Sequence, residues 1–258
     1  MQNDLAGCRV MISAGASGIG LAIASAFLAH GANVQICDVS EEALNSAKAA
    51  LPGVGVFKAD VSAASQVDAW FDHALNGLGG LDVLINNAGI AGPTAGIADV
   101  SVEDWDRTMA VNVRGQFLCI RRAIVALQAS NRAAIINLSS VAGRLGYPMR
   151  TPYAASKWAV VGMVQSLAIE LGEQDITVNA ILPGIVASKR VNEVVAAKAQ
   201  VRGITEDEMR TEVLEHVALH RMVPMEDIAE TALFLASRAG RSVTGQCMNI
   251  CAGVQTLR

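Results

Sequence analysis

The segments at residues 8–38 restrict the fold of this chain more than any other feature. Residues 8–13, Cys-Arg-Val-Met-Ile-Ser, form a short apolar run suited to a strand. The next seven positions contain Gly15, Gly18 and Gly20. Residues 21–30 repeat apolar side chains at helical spacing, and Gly31 ends them. Residues 34–38, Val-Gln-Ile-Cys-Asp, read as a second strand. Strand, glycine turn, helix and strand in this order open a parallel sheet. In such sheets the glycines let backbone N–H groups and a helix N-terminus approach a pyrophosphate.

The alternation continues. Strands are predicted at residues 54–59, 81–85, 134–138, 176–182 and 245–250. Helices are predicted at 41–51, 66–78, 102–129 and 224–236, and at the apolar-periodic run that Tyr153 opens. The fourth strand, Leu-Asp-Val-Leu-Ile, is almost wholly apolar, as in a sheet covered on both faces. The expected architecture is α/β: a doubly wound parallel sheet of about seven strands with helices on both faces, a single domain over residues 1–258. With 52% apolar and 17% charged residues, a large core is available and disorder is not expected. A net charge of −4 without a basic block argues against nucleic acid as a partner. No apolar run approaches the ~18–20 residues that span a bilayer. Residues 1–4 lack the basic start and apolar stretch of a secretory signal. Five scattered cysteines read as reduced thiols of a cytoplasmic protein. No metal site is expected: Cys247 and Cys251 lack zinc-like partners, and His216 and His220 lack a surrounding ligand motif.

Four positions carry chemistry on the residues alone. Tyr153 and Lys157 are four apart on a helix and so share one side of it. A free phenol titrates near ~10; a neighbouring ammonium favours the phenolate and makes the tyrosine a general acid/base for alcohol or carbonyl chemistry. Asp38 ends the second strand, where a carboxylate accepts hydrogen bonds from an adenosine ribose and repels a 2′-phosphate. No Arg or Lys lies in the glycine turn or just after Asp38, so NAD is expected over NADP. Asn112 sits amid apolar residues of a predicted helix and must find hydrogen-bond partners there.

Residues 13–20 read Ser-Ala-Gly-Ala-Ser-Gly-Ile-Gly, close to Thr-Gly-x-x-x-Gly-x-Gly. Together with Asn86-Asn87-Ala88-Gly89 and Tyr153-x-x-x-Lys157, this resembles the short-chain dehydrogenase/reductase family, the single-domain Rossmann-like kind of about 250 residues. The resemblance extends from the turn to the C-terminus. It implies that Ser13, Gly15, Ser17, Gly18 and Ile19 meet the cofactor, with Asp60 and Val61 beside its adenine. Asn87, Ala88 and Gly89 would line it. Pro183, Gly184, Ile185 and Val186 would flank the nicotinamide, with Ser188 on the carboxamide. Ser140, thirteen residues before Tyr153, would stabilise the substrate oxygen. Tyr153 would move the proton, Lys157 would also hold the nicotinamide ribose, and Asn112 would hold a water against Lys157. A homotetramer and a substrate lid at about 188–222 are implied as well.

Two departures from the family pattern stand out. Ala14 replaces the first glycine of the turn; we expect Gly15 to absorb the unusual backbone and Ala14 to avoid the left-handed region. Cys251-Ala252-Gly253 stands where the family closes with Asp-Gly-Gly. The substrate wall is expected from Val141, Arg144, Tyr147, Met149 and Arg150, joined by Ile90, Thr94, Ile185, Lys189 and Arg190. The cations among them suggest a small polar or anionic hydroxy compound, a hydroxy acid or sugar derivative. The alternatives are an apolar or cyclic alcohol or ketone, a 3-oxoacyl substrate, and, in another class, a non-catalytic dinucleotide-binding regulator. An epimerase would need a larger substrate domain than this chain offers.

Overall fold

The structure, a computed structural model, describes residues 4–257, and the side chains of Lys189 and Arg190 lie outside that description. Seven strands, β1 (Arg9–Ser13), β2 (Asn33–Asp38), β3 (Gly55–Lys58), β4 (Val83–Asn86), β5 (Ala134–Leu138), β6 (Thr177–Pro183) and β7 (Cys247–Ile250), form one sheet in the order β3-β2-β1-β4-β5-β6-β7. Every pairing is parallel. The order runs outward from β1 to β3, then from β4 to β7 on the other side, so a crevice opens beyond the carboxyl ends of β1 and β4.

Alternate strand residues feed two cores. Met11, Leu84 and Ile135 pack on one face with Trp70, Phe71 and Val164, from α3 (Ala64–Leu78) and α6 (Thr151–Glu170). Val10, Ile12, Val83 and Ile85 pack on the other with Phe27, Leu44 and Ile228, from α1 (Gly18–Ala29), α2 (Glu41–Ala50) and α9 (Met225–Ala236). Burial on both faces is why these strands read as continuous apolar runs. Ser40 and Ser101 cap their helices by accepting from the N–H groups of Ala43 and Asp104. The helix predicted over 102–129 is three pieces: α4 (Val102–Met109), a π-turn (Ala110–Arg114) and α5 (Gly115–Gln128). The widened turn is centred on buried Asn112.

The expectation for Ala14 is overturned. Ala14 has φ 50°, and Gly15 is not among the positive-φ residues. The turn must aim the Ala14 carbonyl at Asn87 Nδ2, which donates to it at 2.9 Å. Gly15 is needed instead for space: a Cβ there would lie 2.6 Å from the Ile36 side chain. Ala252, in the departure near the C-terminus, likewise has φ 53°. Left-handed backbone costs a non-glycine residue about 1–2 kcal/mol, and the freer unfolded chain of glycine returns about 0.4–1 kcal/mol of that difference. Ala14→Gly and Ala252→Gly are each expected to raise unfolding free energy by roughly 0.5–1 kcal/mol. Urea unfolding of both variants checks this, and an unchanged or lowered midpoint would contradict it.

Between β6 and α9 the chain forms α7 (Lys189–Arg202) and α8 (Glu206–Glu215). A parallel bridge, Val186 with Val223, closes their base, and an antiparallel bridge joins Val217 to Val254.

Candidate active site

The crevice beyond β1 and β4 is built by close backbone approach. Ser13 is buried, and its hydroxyl accepts from the N–H groups of Asn87 and Ala88 at 3.0 and 3.1 Å. This ties the glycine turn to the end of β4, so Ser13 supports the turn rather than facing the crevice. A Cβ on Gly20 would lie 2.6 Å from Asn87 Nδ2, which explains glycine there. Gly18 has φ +53°, and the space where its Cβ would point is open. Ser17 makes no side-chain cap and no acidic residue occupies the first turn of α1. That turn therefore presents its N–H groups to an anion without competition. Asp38 stands beside it, accepting from Ser40 N at 3.1 Å and weakly from Ala16 N at 3.4 Å. These features fit a dinucleotide: an open glycine cradle for the pyrophosphate and a carboxylate beside it that can accept from ribose hydroxyls.

Other predicted cofactor residues have structural duties. Burial alone would raise the Asp60 carboxyl, but hydrogen bonds from Ser62 and Arg107 outweigh it and hold the group below its usual range. Val61 is buried against Gly115. Val186 is buried in the core, whereas Gly184 and Ile185 face the cavity described below. Ser188 caps α7, accepting from Val191 N at 3.3 Å and donating to Val186 O at 3.2 Å.

At the carboxyl end of β5 the structure separates two neighbouring serines. Ser139 Oγ donates to Lys157 O at 2.8 Å and is spent on fastening α6. Ser140 Oγ accepts from Ala142 N at 3.2 Å, leaves its own proton to donate, and faces the cavity. Lys157 is buried at 4% exposure, its Nζ donating to Leu138 O at 2.9 Å and lying 5.6 Å from the Tyr153 ring centroid. Gly89 packs against this group: a Cβ there would meet both Lys157 Nζ and Asn112 Oδ1 at 3.3 Å. Asn112 accepts from Ile90 N at 2.7 Å and donates to Ile90 O and Ser156 Oγ at 3.0 and 2.9 Å. Its side chain thus pins the β4 loop to α6, the elements that hold Gly89 and Lys157.

A cavity of about 680 Å3 adjoins this group, with Ser140 and Tyr153 in its wall. Val141, Tyr147, Met149, Thr94 and Ile185 line it as the sequence suggested. Ile90 and two arginines do not. Arg144 donates to Cys247 O at 2.9 Å, toward β7. Arg150 is buried beneath the wall, donating to Thr94 Oγ1 and Ala91 O at 3.3 and 2.8 Å, with its guanidinium 5.5 Å from the centroids of both Tyr147 and Tyr153. The Arg190 side chain lies outside the described residues. Sequence reasoning missed Lys198 of α7, which lines the cavity with its Nζ 4.6 Å from the Tyr147 ring centroid. The signal was present: Val191, Val194, Val195 and Val201 place Lys198 within the apolar stripe of the helix. Met149, at the cavity wall, has φ 61°, backbone strain of the kind that gathers at functional sites.

Among the described residues no three His, Cys, Asp or Glu side chains gather as a metal site, and no helix is long and apolar enough to cross a membrane. Burial pushes the Cys8 and Cys119 thiols up to about 12, so neither is poised as a nucleophile.

Residues 13–255 match a family model described as enoyl-(acyl carrier protein) reductase. The chain is 35% identical to 2-(S)-hydroxypropyl-CoM dehydrogenase 3 of Xanthobacter autotrophicus, over all of both chains. Among solved structures, an NAD+-bound xylitol dehydrogenase superposes with TM-score 0.92 at 26% identity, covering 97% of this chain and all of that one. An actinorhodin polyketide ketoreductase with NADPH superposes with TM-score 0.91 at 29% identity, covering 95% of this chain and 96% of that one. The chain is thus an oxidoreductase of hydroxy or oxo compounds whose fold takes a nicotinamide dinucleotide. A glycine turn pinned to β4, a tyrosine and lysine one helical turn apart beside a cavity, and relatives that match from end to end place this chain in the short-chain dehydrogenase/reductase family.

Proposed function

We propose that the protein interconverts a secondary alcohol and a ketone using NAD, with Tyr153 as general acid/base and a small polar or anionic hydroxy compound as substrate. The observation that carries this reading is the arrangement of Tyr153 at the cavity wall with Lys157 Nζ 5.6 Å from its ring. In the oxidative direction Tyr153 takes the alcohol proton; in the reductive direction it returns one to the carbonyl oxygen. The Lys157 ammonium and the Arg150 guanidinium on the same ring favour negative charge on the phenol oxygen. Ser140 donates to the substrate oxygen, where charge develops. When bound, a nicotinamide cofactor would supply the hydride chemistry. Asn112 keeps Lys157 and the Gly89 loop in register, and a water on it would link Lys157 to solvent. Asp38 supports NAD: a carboxylate there binds ribose hydroxyls and repels a 2′-phosphate.

Reduction of NAD and of NADP, followed over polyols, sugars, hydroxy acids and apolar secondary alcohols, tests the reading. NAD-linked turnover of a polar or anionic alcohol is expected; tight cofactor binding without turnover of any of them would favour a binding role instead. We also propose a homotetramer, supported by exposed apolar side chains on α5 and α6: Phe117, Val125, Trp158 and Ile169. The free cysteines suit a cytoplasmic setting.

A further inference from the structure

The lid helix α7 lines the cavity with valines at positions 191, 194, 195 and 201, the last of them largely exposed, and places Lys198 among them. A surface lysine normally lays its stem on apolar neighbours and sends its ammonium out to water. Lys198 does the opposite. Its ammonium crosses to the facing wall and rests 4.6 Å from the Tyr147 ring centroid. The Arg150 guanidinium lies 5.5 Å from that same centroid and equally far from that of Tyr153. A continuous series of rings and cations therefore leads from the reacting phenol to the lid. Burial among apolar side chains, reinforced by the like charge of Arg150, brings Lys198 down to about 8. An anion bound in the cavity would favour the charged form of this group. Among the described residues at the cavity, Arg202 pairs with Glu212, and Glu215 is exposed at the rim.

We propose that Lys198 is a substrate-anchoring residue, and that the substrate carries a single carboxylate or sulfonate at the end remote from the reacting carbon. The inference rests on the reading of Tyr153 and Ser140 as the reacting end. With the oxygen at those residues, the anion reaches across the Tyr147 ring to the Lys198 ammonium, and the valines of α7 cover the carbon chain between. Lys198 then selects for chain length as well as charge, because it sits on a helix and not on a free loop.

The test separates binding from turnover. The full chain, saturated with oxidised cofactor, is titrated calorimetrically with acetoacetate and levulinate and with their neutral counterparts, butanone and pentan-2-one. A ketone cannot be oxidised further by this chemistry, so affinity is read alone. The unaltered protein is expected to bind at least one oxo acid more tightly than its neutral counterpart. Lys198→Met, which keeps the stem, is expected to weaken oxo-acid binding roughly 10- to 100-fold and leave neutral ketones unchanged. Lys198→Arg is expected to recover most of the loss. Equal weakening of both classes, no weakening, or no preference for the oxo acids would overturn the proposal. Oxidation of 3-hydroxybutyrate and of 4-hydroxypentanoate is followed in parallel. Turnover indifferent to Lys198 would sink the anchor alone; Lys198-dependent binding without any turnover would sink the hydride reading alone.

Discussion

Tyr153→Phe is expected to lower kcat by about 100- to 10,000-fold, the range in which a positioned acid/base contributes. The change deletes one hydroxyl. The ring remains between the Arg150 guanidinium and the Lys157 ammonium, each within 5.6 Å of its centroid, so the packing of α6 should persist. Cofactor affinity, read by quenching of the tryptophan fluorescence, should therefore move little while turnover collapses. That split separates a catalytic phenol from a structural one. A variant retaining a third or more of kcat, with cofactor binding intact, would show that another group carries the proton. Lys157 is a poorer first target, because its Nζ also donates to Leu138 O and its carbonyl accepts from Ser139. Its removal would disturb packing and chemistry together.

Changing Asp38 to serine is expected to reverse the choice of cofactor. Loss of the hydrogen bonds from ribose to a charged carboxylate should cost NAD roughly 10- to 100-fold in kcat/KM. Removal of the negative charge should raise kcat/KM with NADP by a comparable factor, since the 2′-phosphate no longer meets a like charge. A competing view is that Asp38 only organises the end of β2, because its carboxylate accepts from Ser40 N and Ala16 N. The two views part on direction: a purely structural role would weaken NAD and NADP alike. Val39→Arg added to Asp38→Ser sharpens the comparison. Val39 is 58% exposed, so a cation there faces solvent and is available to a phosphate at little cost to folding.

Much of the fold was legible in the chain because the signals are local. All seven strands were legible as apolar runs bounded by glycine or polar turns. The break at Asn112 was visible only as a polar residue in an apolar helix. That it widens the helix into a π-turn follows from where Ile90 and Ser156 stand, and both are distant in sequence. The backbone at Ala14 was misjudged for the same reason. Its φ is dictated by a carbonyl that must meet Asn87, more than seventy residues away. The charged residues of the substrate wall were the least legible. Arg144 and Arg150 sit on the right loop, yet one reaches β7 and the other lies under two tyrosine rings.

The sequence by itself determined the order of strands and helices, the glycine turn, the acid that ends β2 and the pairing of Tyr153 with Lys157. Hydrophobic period, turn chemistry and helical spacing are properties of neighbours along the chain. Only the tertiary structure decided that Ser139 is spent on the Lys157 carbonyl, that Arg150 lies beneath the wall, and that Lys198 crosses from α7 to Tyr147. Each of those outcomes depends on which distant elements pack together, and a long side chain beside several elements goes to whichever offers it a hydrogen-bond acceptor or an aromatic face.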